Sequence, residues 1–263
     1  MSIKIAFLTQ EDPFYVRLFF EEFFAHTPGL KCILAVYLAP PMGKRSLRAL
    51  ARQMFDFYGP LNFVRMGMRY VWHKVAARRP VQRDAERFFS VAQVCRAYGV
   101  PVEDVANVND PAFHAKLRTL APDVIVSVAC PQIFREPLIA IPPLGCINIH
   151  NAPLPRYRGM LPNFWQMYHG ERTAGTTIHR INAGIDEGAI LMQSETPISP
   201  GDTLDELICR TKRHGARMVI EALGALERGE LRERPNAAGE GSYFSFPTRA
   251  DVREFRRRGL RLI

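Results

Sequence analysis

Residues 123–128 read Asp-Val-Ile-Val-Ser-Val, a continuous apolar run. A strand with one wet face alternates apolar and polar residues; a strand buried on both faces does not need to. The run is therefore expected inside a sheet that is covered on each side. Its neighbours in sequence fit that frame. Lys4–Thr9 reads as a short buried strand and Lys31–Leu38 as a second. Pro101-Val102, after the helix-stopping Gly99, reads as a short third. Pro13 opens a helical stretch through Phe24, and Asp110-Pro111 pairs an N-cap with a first-turn proline. Gly145–His150 is a further strand. Strands alternating with helices predict an α/β fold, a doubly wound and mostly parallel sheet.

The second half changes character. Thr176–Ile181 and Ala189–Ile198 read as strands around the tight segment 182–188, a hairpin-like addition to the sheet. Asp202-Thr203 caps a long helix whose apolar positions (Leu204, Leu207, Ile208, Ala216, Val219, Leu223) recur at helical spacing. Pro235–Gly241 reads as a linker and Ala250–Arg258 as a short basic helix. The boundaries expected are a catalytic unit over 1–229, with a basic helical insertion at about 44–80, and a short extension over 230–263.

Charge is uneven. The chain carries +9, and residues 41–80 alone hold nine Lys or Arg against one acid, Asp56. Anionic partners or solvated basic helix faces both follow from that imbalance. Within Ser46–Arg79, two amphipathic helices are expected to break at Gly59-Pro60. Their Met and aromatic residues are read first as core or the seam of a homodimer. Peripheral membrane contact through 46–79 is the second reading, and contact with an anionic substrate the third. Five scattered cysteines without a C-x-x-C pair suggest free thiols in a reducing compartment. Neither a signal peptide nor an apolar membrane span is visible, so the expected location is cytoplasmic.

The chemistry concentrates at Asn148 and His150. Residues i and i+2 of a strand point the same way, so this amide and imidazole share one small volume, with Ile147 and Ile149 turned into the core. Asp186, between Gly184 and Gly188, is a candidate third member. Such a trio suits a reaction in which a carbonyl oxygen gains charge: a donor for the oxyanion, a proton carrier and a carboxylate that orients it. No phosphate-binding glycine loop is present, and His150 and His179 lack the neighbours a metal site needs, so no metal is expected.

NIHNAPLPRYRG followed by HRINAGIDEGAIL resembles the signature of the folate-dependent formyltransferase family, whose members act on methionyl-tRNA, amino-sugars and glycinamide ribonucleotide. The strongest match spans about Val124–Thr211. The resemblance implies a Rossmann-like sheet, 10-formyltetrahydrofolate as formyl donor, and Asn148, His150 and Asp186 as the catalytic trio. It also implies a folate pocket at Pro131, Gln132 and Ile133 and at Ile181, Asn182, Ala183, Gly184 and Asp186. Ala152 stands where family members often have serine, which leaves a hydroxyl missing. Gln10, Glu11, Asp12, Tyr157 and Arg158 are candidates for binding the amine acceptor, a small and phosphate-bearing molecule. A nucleotide-linked amino-sugar is the first acceptor, because residues 230–263 are too few for the β-barrel domain usual in methionyl-tRNA enzymes. Methionyl-tRNA or another small amine is the alternative. A folate-binding module without turnover is the non-enzyme reading.

Overall fold

The computed structural model describes residues 3–27, 32–40, 47–83, 85 and 87–263. The chain runs β1 (Ile5–Thr9), α1 (Val16–His26), β2 (Ile33–Leu38), α2 (Leu47–Ala76), α3 (Val91–Ala97), β3 (Val102–Asp104), α4 (Pro111–Leu120), β4 (Val124–Val128), α5 (Glu136–Ile139) and β5 (Cys146–His150). It continues with β6 (Arg158–Gly159), α6 (Pro162–Tyr168), β7 (Thr173–Arg180), β8 (Ile190–Pro197), α7 (Leu204–Glu227), β9 (Tyr243–Phe244) and α8 (Arg249–Arg257). The main sheet has the order β3-β2-β1-β4-β5-β7-β8. β1 to β5 pair in parallel, and β7 and β8 close the edge antiparallel. The α/β class, the parallel order and the antiparallel addition agree with the pattern in the sequence.

Alternation along the central strands builds two layers. Ile5, Phe7, Val124, Val126, Ile147 and Ile149 face the larger one, filled by the Phe19, Phe20, Phe23 and Phe24 rings of α1 and by Val219 and Leu223 of α7. Ala6, Leu8, Ile125 and Cys146 face the smaller one, with Phe113 and Leu117 of α4 and with Phe134 and Leu138. By the same alternation Asn148 and His150 lie on the smaller layer's side, where the core runs out and a site can open.

The local signals explain most element ends. Asp110 accepts from the Ala112 N–H and Pro111 sits in the first turn of α4. Thr203 and Glu206 form a reciprocal capping box on α7. α2 is broken where expected: Gly59 takes φ +72°, open to glycine, and Pro60 starts the second half. Two boundaries moved. The α1 helix begins at Val16 rather than Pro13, because the Asp12 carboxylate first accepts the N–H groups of Phe14 and Tyr15 in a turn. β7 begins at Thr173, its first residues pairing with the end of β8. Lys31, Lys44, Arg45 and Ser46 lie outside the described residues.

The apolar and aromatic residues of α2 divide between core and surface. Phe57, Met66, His73 and Ala76 are buried, but Phe55, Leu61, Val64, Met68, Tyr70, Val71, Trp72 and Val75 are exposed. The segment 230–263 folds back on the rest: β9 pairs with β6, and Phe255 of α8 stacks on Phe164 of α6. Among the described residues no helix is long and apolar enough to cross a membrane.

Candidate active site

β5 sets the site. Its Ile147 and Ile149 are buried, and Asn148 and His150 project together from the other face. β7 pairs with β5 in the register Asn148↔His179, so these two side chains stand directly opposite on one face. The Asn148 amide nitrogen lies 3.0 Å from His179 Nε2. The other ring nitrogen, Nδ1, lies 2.7 Å from the Arg180 carbonyl oxygen, which can only accept, so Nδ1 carries the hydrogen. In the neutral ring Nε2 is then an acceptor, and it receives one N–H of Asn148. Burial holds His179 in that neutral form, lowering its pKa to about 4 although Asp186 pulls the other way and His150 adds to the fall. The amide of Asn148 is thereby fixed with its second N–H turned away from His179.

His150 is oriented from its other side. Its Nε2 lies 2.9 Å from the Tyr157 carbonyl oxygen and so donates to it. Nδ1 faces Asp186 at 3.7 Å and is the ring atom open to proton exchange. Asp186 also stands 3.6 Å from His179 Nε2, and its Oδ2 accepts from the Gly159 N–H at 3.1 Å. The carboxylate thus sits between two imidazoles, within reach of both.

Asp186 reaches the cluster through the turn that follows β7. β7 runs against β5, so residues 181–189 leave at the amino end of β5 and fold back over the face that carries Asn148. Two features permit this. Asp186 adopts φ +54°, a left-handed shape that Asp tolerates better than most residues. Gly188 passes so close to β7 that a Cβ there would meet the Arg180 carbonyl oxygen at 1.9 Å. Asn236, from beyond α7, then ties the turn down by donating to the carbonyls of Asp186 and Gly188.

The remaining expected residues divide. Asn182, Ala183 and Gly184 lie in the same turn as Asp186, and Ile181 packs against the smaller core layer that also holds Phe134. Pro131–Ile133 follow β4 on that side; Ile133 is exposed. The Gln132 side chain is committed elsewhere, accepting from Val108 N–H and donating to the carbonyls of Pro40 and Ala106. Glu11 caps α3 through the N–H groups of Val91 and Ala92, and Asp12 holds the turn that precedes α1. Burial raises both carboxyl pKa values against those bonds. These two carboxylates therefore act within the fold rather than as free acceptor ligands. Tyr157 is buried with its hydroxyl on Glu171, and Arg158 is buried with Glu187 at 3.0 Å. Gln10 is half-buried at the end of β1.

His179 was the residue missed. Sequence spacing weighs it only as a metal ligand without convincing partners. The signal was its register, visible only once β7 is paired with β5. A cavity of about 340 Å³ lies away from this cluster, between α2 and the start of α7, lined by Arg65, Arg69, Asp205 and Glu206.

The family model for formyl transferases matches residues 75–223. The chain belongs to the formyl transferase family. Over 147 residues it is 40% identical to a methionyl-tRNA formyltransferase from Syntrophus aciditrophicus, a match covering 56% of this chain and 47% of the relative. The chain thus spans about half the length of the curated relatives it matches. Its fold resembles that of a sugar N-formyltransferase from a Shewanella species (TM-score 0.57, 18% identity, covering 93% of this chain and 77% of the other). It also resembles a glycinamide ribonucleotide transformylase from Symbiobacterium toebii (TM-score 0.59, 19% identity, 89% and 92%).

Proposed function

We propose that this formyl transferase moves a formyl group from 10-formyltetrahydrofolate to a primary amine, with Asn148, His150 and Asp186 as catalytic residues and His179 as the residue that positions Asn148. The observation that carries the reading is the donor geometry of Asn148: one N–H is spent on His179, which leaves the other for an oxygen that gains charge. Removing such a donor typically lowers a rate by about 10²–10³.

The residues present suit the folate. Ile133 and Ile185 offer exposed apolar side chains, and the exposed backbone at Asn182 and Ala183 offers polar groups for a flat heteroaromatic ring. Pro131, Ile133 and residues 181–186 would hold it. The Gln132 side chain instead braces its loop. The folate supplies an activated formyl carbonyl. Asn148 would stabilise the oxygen as the amine attacks the formyl carbon, and His150 Nδ1 would take the amine's proton and pass one to the folate nitrogen as its bond to that carbon breaks and tetrahydrofolate leaves. Asp186 supports positive charge on that ring from 3.7 Å.

For the acceptor, the first reading is a nucleotide-linked amino-sugar. The fold shared with a sugar N-formyltransferase over 93% of this chain supports it. Methionyl-tRNA is the second reading, favoured by the 40% identical relative. Release of tetrahydrofolate from 10-formyltetrahydrofolate, followed with a panel of nucleotide amino-sugars and with methionyl-tRNA, decides between them. Turnover with the sugars alone is expected. Turnover with the tRNA alone reverses the order, and folate binding without turnover on any amine leaves a binding module.

A further inference from the structure

The second half of α2 is amphipathic in an unusual sense. Its inner face holds the protein: Met66, His73 and Ala76 are buried, His73 packs among the Phe14, Trp72 and Phe89 rings, and Arg69 bonds Asp205. Its outer face should be polar and is not. Leu61, Val64, Met68, Val71 and Val75 fall at steps of three and four residues, one stripe along the helix, and each is more than half exposed. Contiguous apolar surface of this kind marks a contact. No residue of the stripe belongs to the Asn148 cluster, so the contact is separate from the chemistry.

Charge selects the occupant. Arg65 and Lys74 are exposed on the same half of the helix and Arg78 and Arg79 just past its end, Arg48 and Arg52 are exposed on the first half, and Asp56 is the one acid between 47 and 79. A second copy laid on this helix, in either direction, would set these cations against their own kind with no acids in reply. Nucleic acid would answer the cations but leave five aliphatic side chains in contact with phosphates. A bilayer surface with anionic headgroups satisfies both: acyl chains take the stripe and headgroups take the cations. Tyr70 and Trp72, exposed beside the stripe, are the aromatic types that settle at that boundary. We propose that the α2 helix docks this enzyme on an anionic membrane surface, lying in the interface along 60–76.

The test is co-sedimentation of the full chain with vesicles of equal parts phosphatidylglycerol and phosphatidylcholine, and with phosphatidylcholine alone. Binding to the mixed vesicles, weak binding to the neutral ones and loss with added salt are expected. The triple variant Val64→Ser, Met68→Ser, Val71→Ser, all on exposed positions, should bind about tenfold less or worse with an unchanged melting curve. Trp72 gives an internal reading. Of the two tryptophans Trp165 is buried, so a blue shift on adding vesicles reports Trp72 entering the interface. Three results would each overturn the proposal. One is no binding to the mixed vesicles; another is a wild-type dimer that the triple variant turns monomeric without any vesicle binding. The third is tRNA binding that the triple variant keeps in full while vesicles compete for nothing.

Discussion

Asn148 and His179 illustrate how one hydrogen bond settles the role of two side chains. An amide free to flip presents either an oxygen or a nitrogen to a site. Here the neutral imidazole accepts, so the nitrogen end is chosen. Replacing His179 by Leu should therefore act through Asn148. We expect kcat to fall about tenfold, the worth of one orienting hydrogen bond, with the folate affinity little changed. In an Asn148→Ala background the same substitution should cost little more, because the group it orients is gone. Additive losses measured in that double-mutant cycle would separate the two residues. Asn148 and His150 were legible in the sequence because strand alternation is a local rule. His179 was not, since its meaning depends on which strand lies beside it. The role of Glu11 in the fold was hidden for the same reason: it caps N–H groups that lie 80 and 81 residues further along the chain.

At the scale of elements, the turn after β7 and the helix α2 carry the account. The turn must pass Arg180 without a side chain at Gly188. A methyl group there meets backbone, which cannot swing aside. Gly188→Ala should destabilise the protein by about 2 kcal/mol or more and displace Asp186; a variant with wild-type urea midpoint and rate would show that the close approach is relaxed in solution. α2 is anchored through His73, whose imidazole is fully buried. Burial and the nearby Arg17, Arg69 and Arg87 lower its pKa to about 4. The folded value lies below the unfolded one, so the unfolded chain binds the proton more readily. The stability tied to His73 is thus complete above pH 6.5 and is lost as pH falls toward 4. At pH 5 the loss is about 2 kcal/mol. His73→Phe should remove that share, and urea unfolding at pH 7 and pH 5 reads it directly; an identical pH loss in both proteins would exclude His73 as the cause. The main strands and the long helices were readable from periodicity and caps. The β6–β9 pair was not, because two residues on each side carry no pattern of their own. The stripe on α2 was visible as a pattern but not as a surface, since helical spacing alone does not say which face is covered.

For the molecule as a whole, the sheet delivers the chemistry and the later segments finish it. β5 and β7 bring Asn148, His150 and His179 together. Residues beyond α7 then brace the two loops above them, Asn236 on the Asp186 turn and Ser242 on the backbone of Tyr157 and Arg158. A site assembled this way has its donors set before any ligand arrives, which is the arrangement that stabilises charge most effectively. The most direct measurement compares the wild type with Asn148→Ala for formyl transfer from saturating 10-formyltetrahydrofolate, with folate binding measured in both. The account predicts turnover by the wild type, and for the variant similar folate binding with kcat reduced by about 10²–10³. Equal rates in the two proteins, or bound folate with no turnover in either, would contradict it.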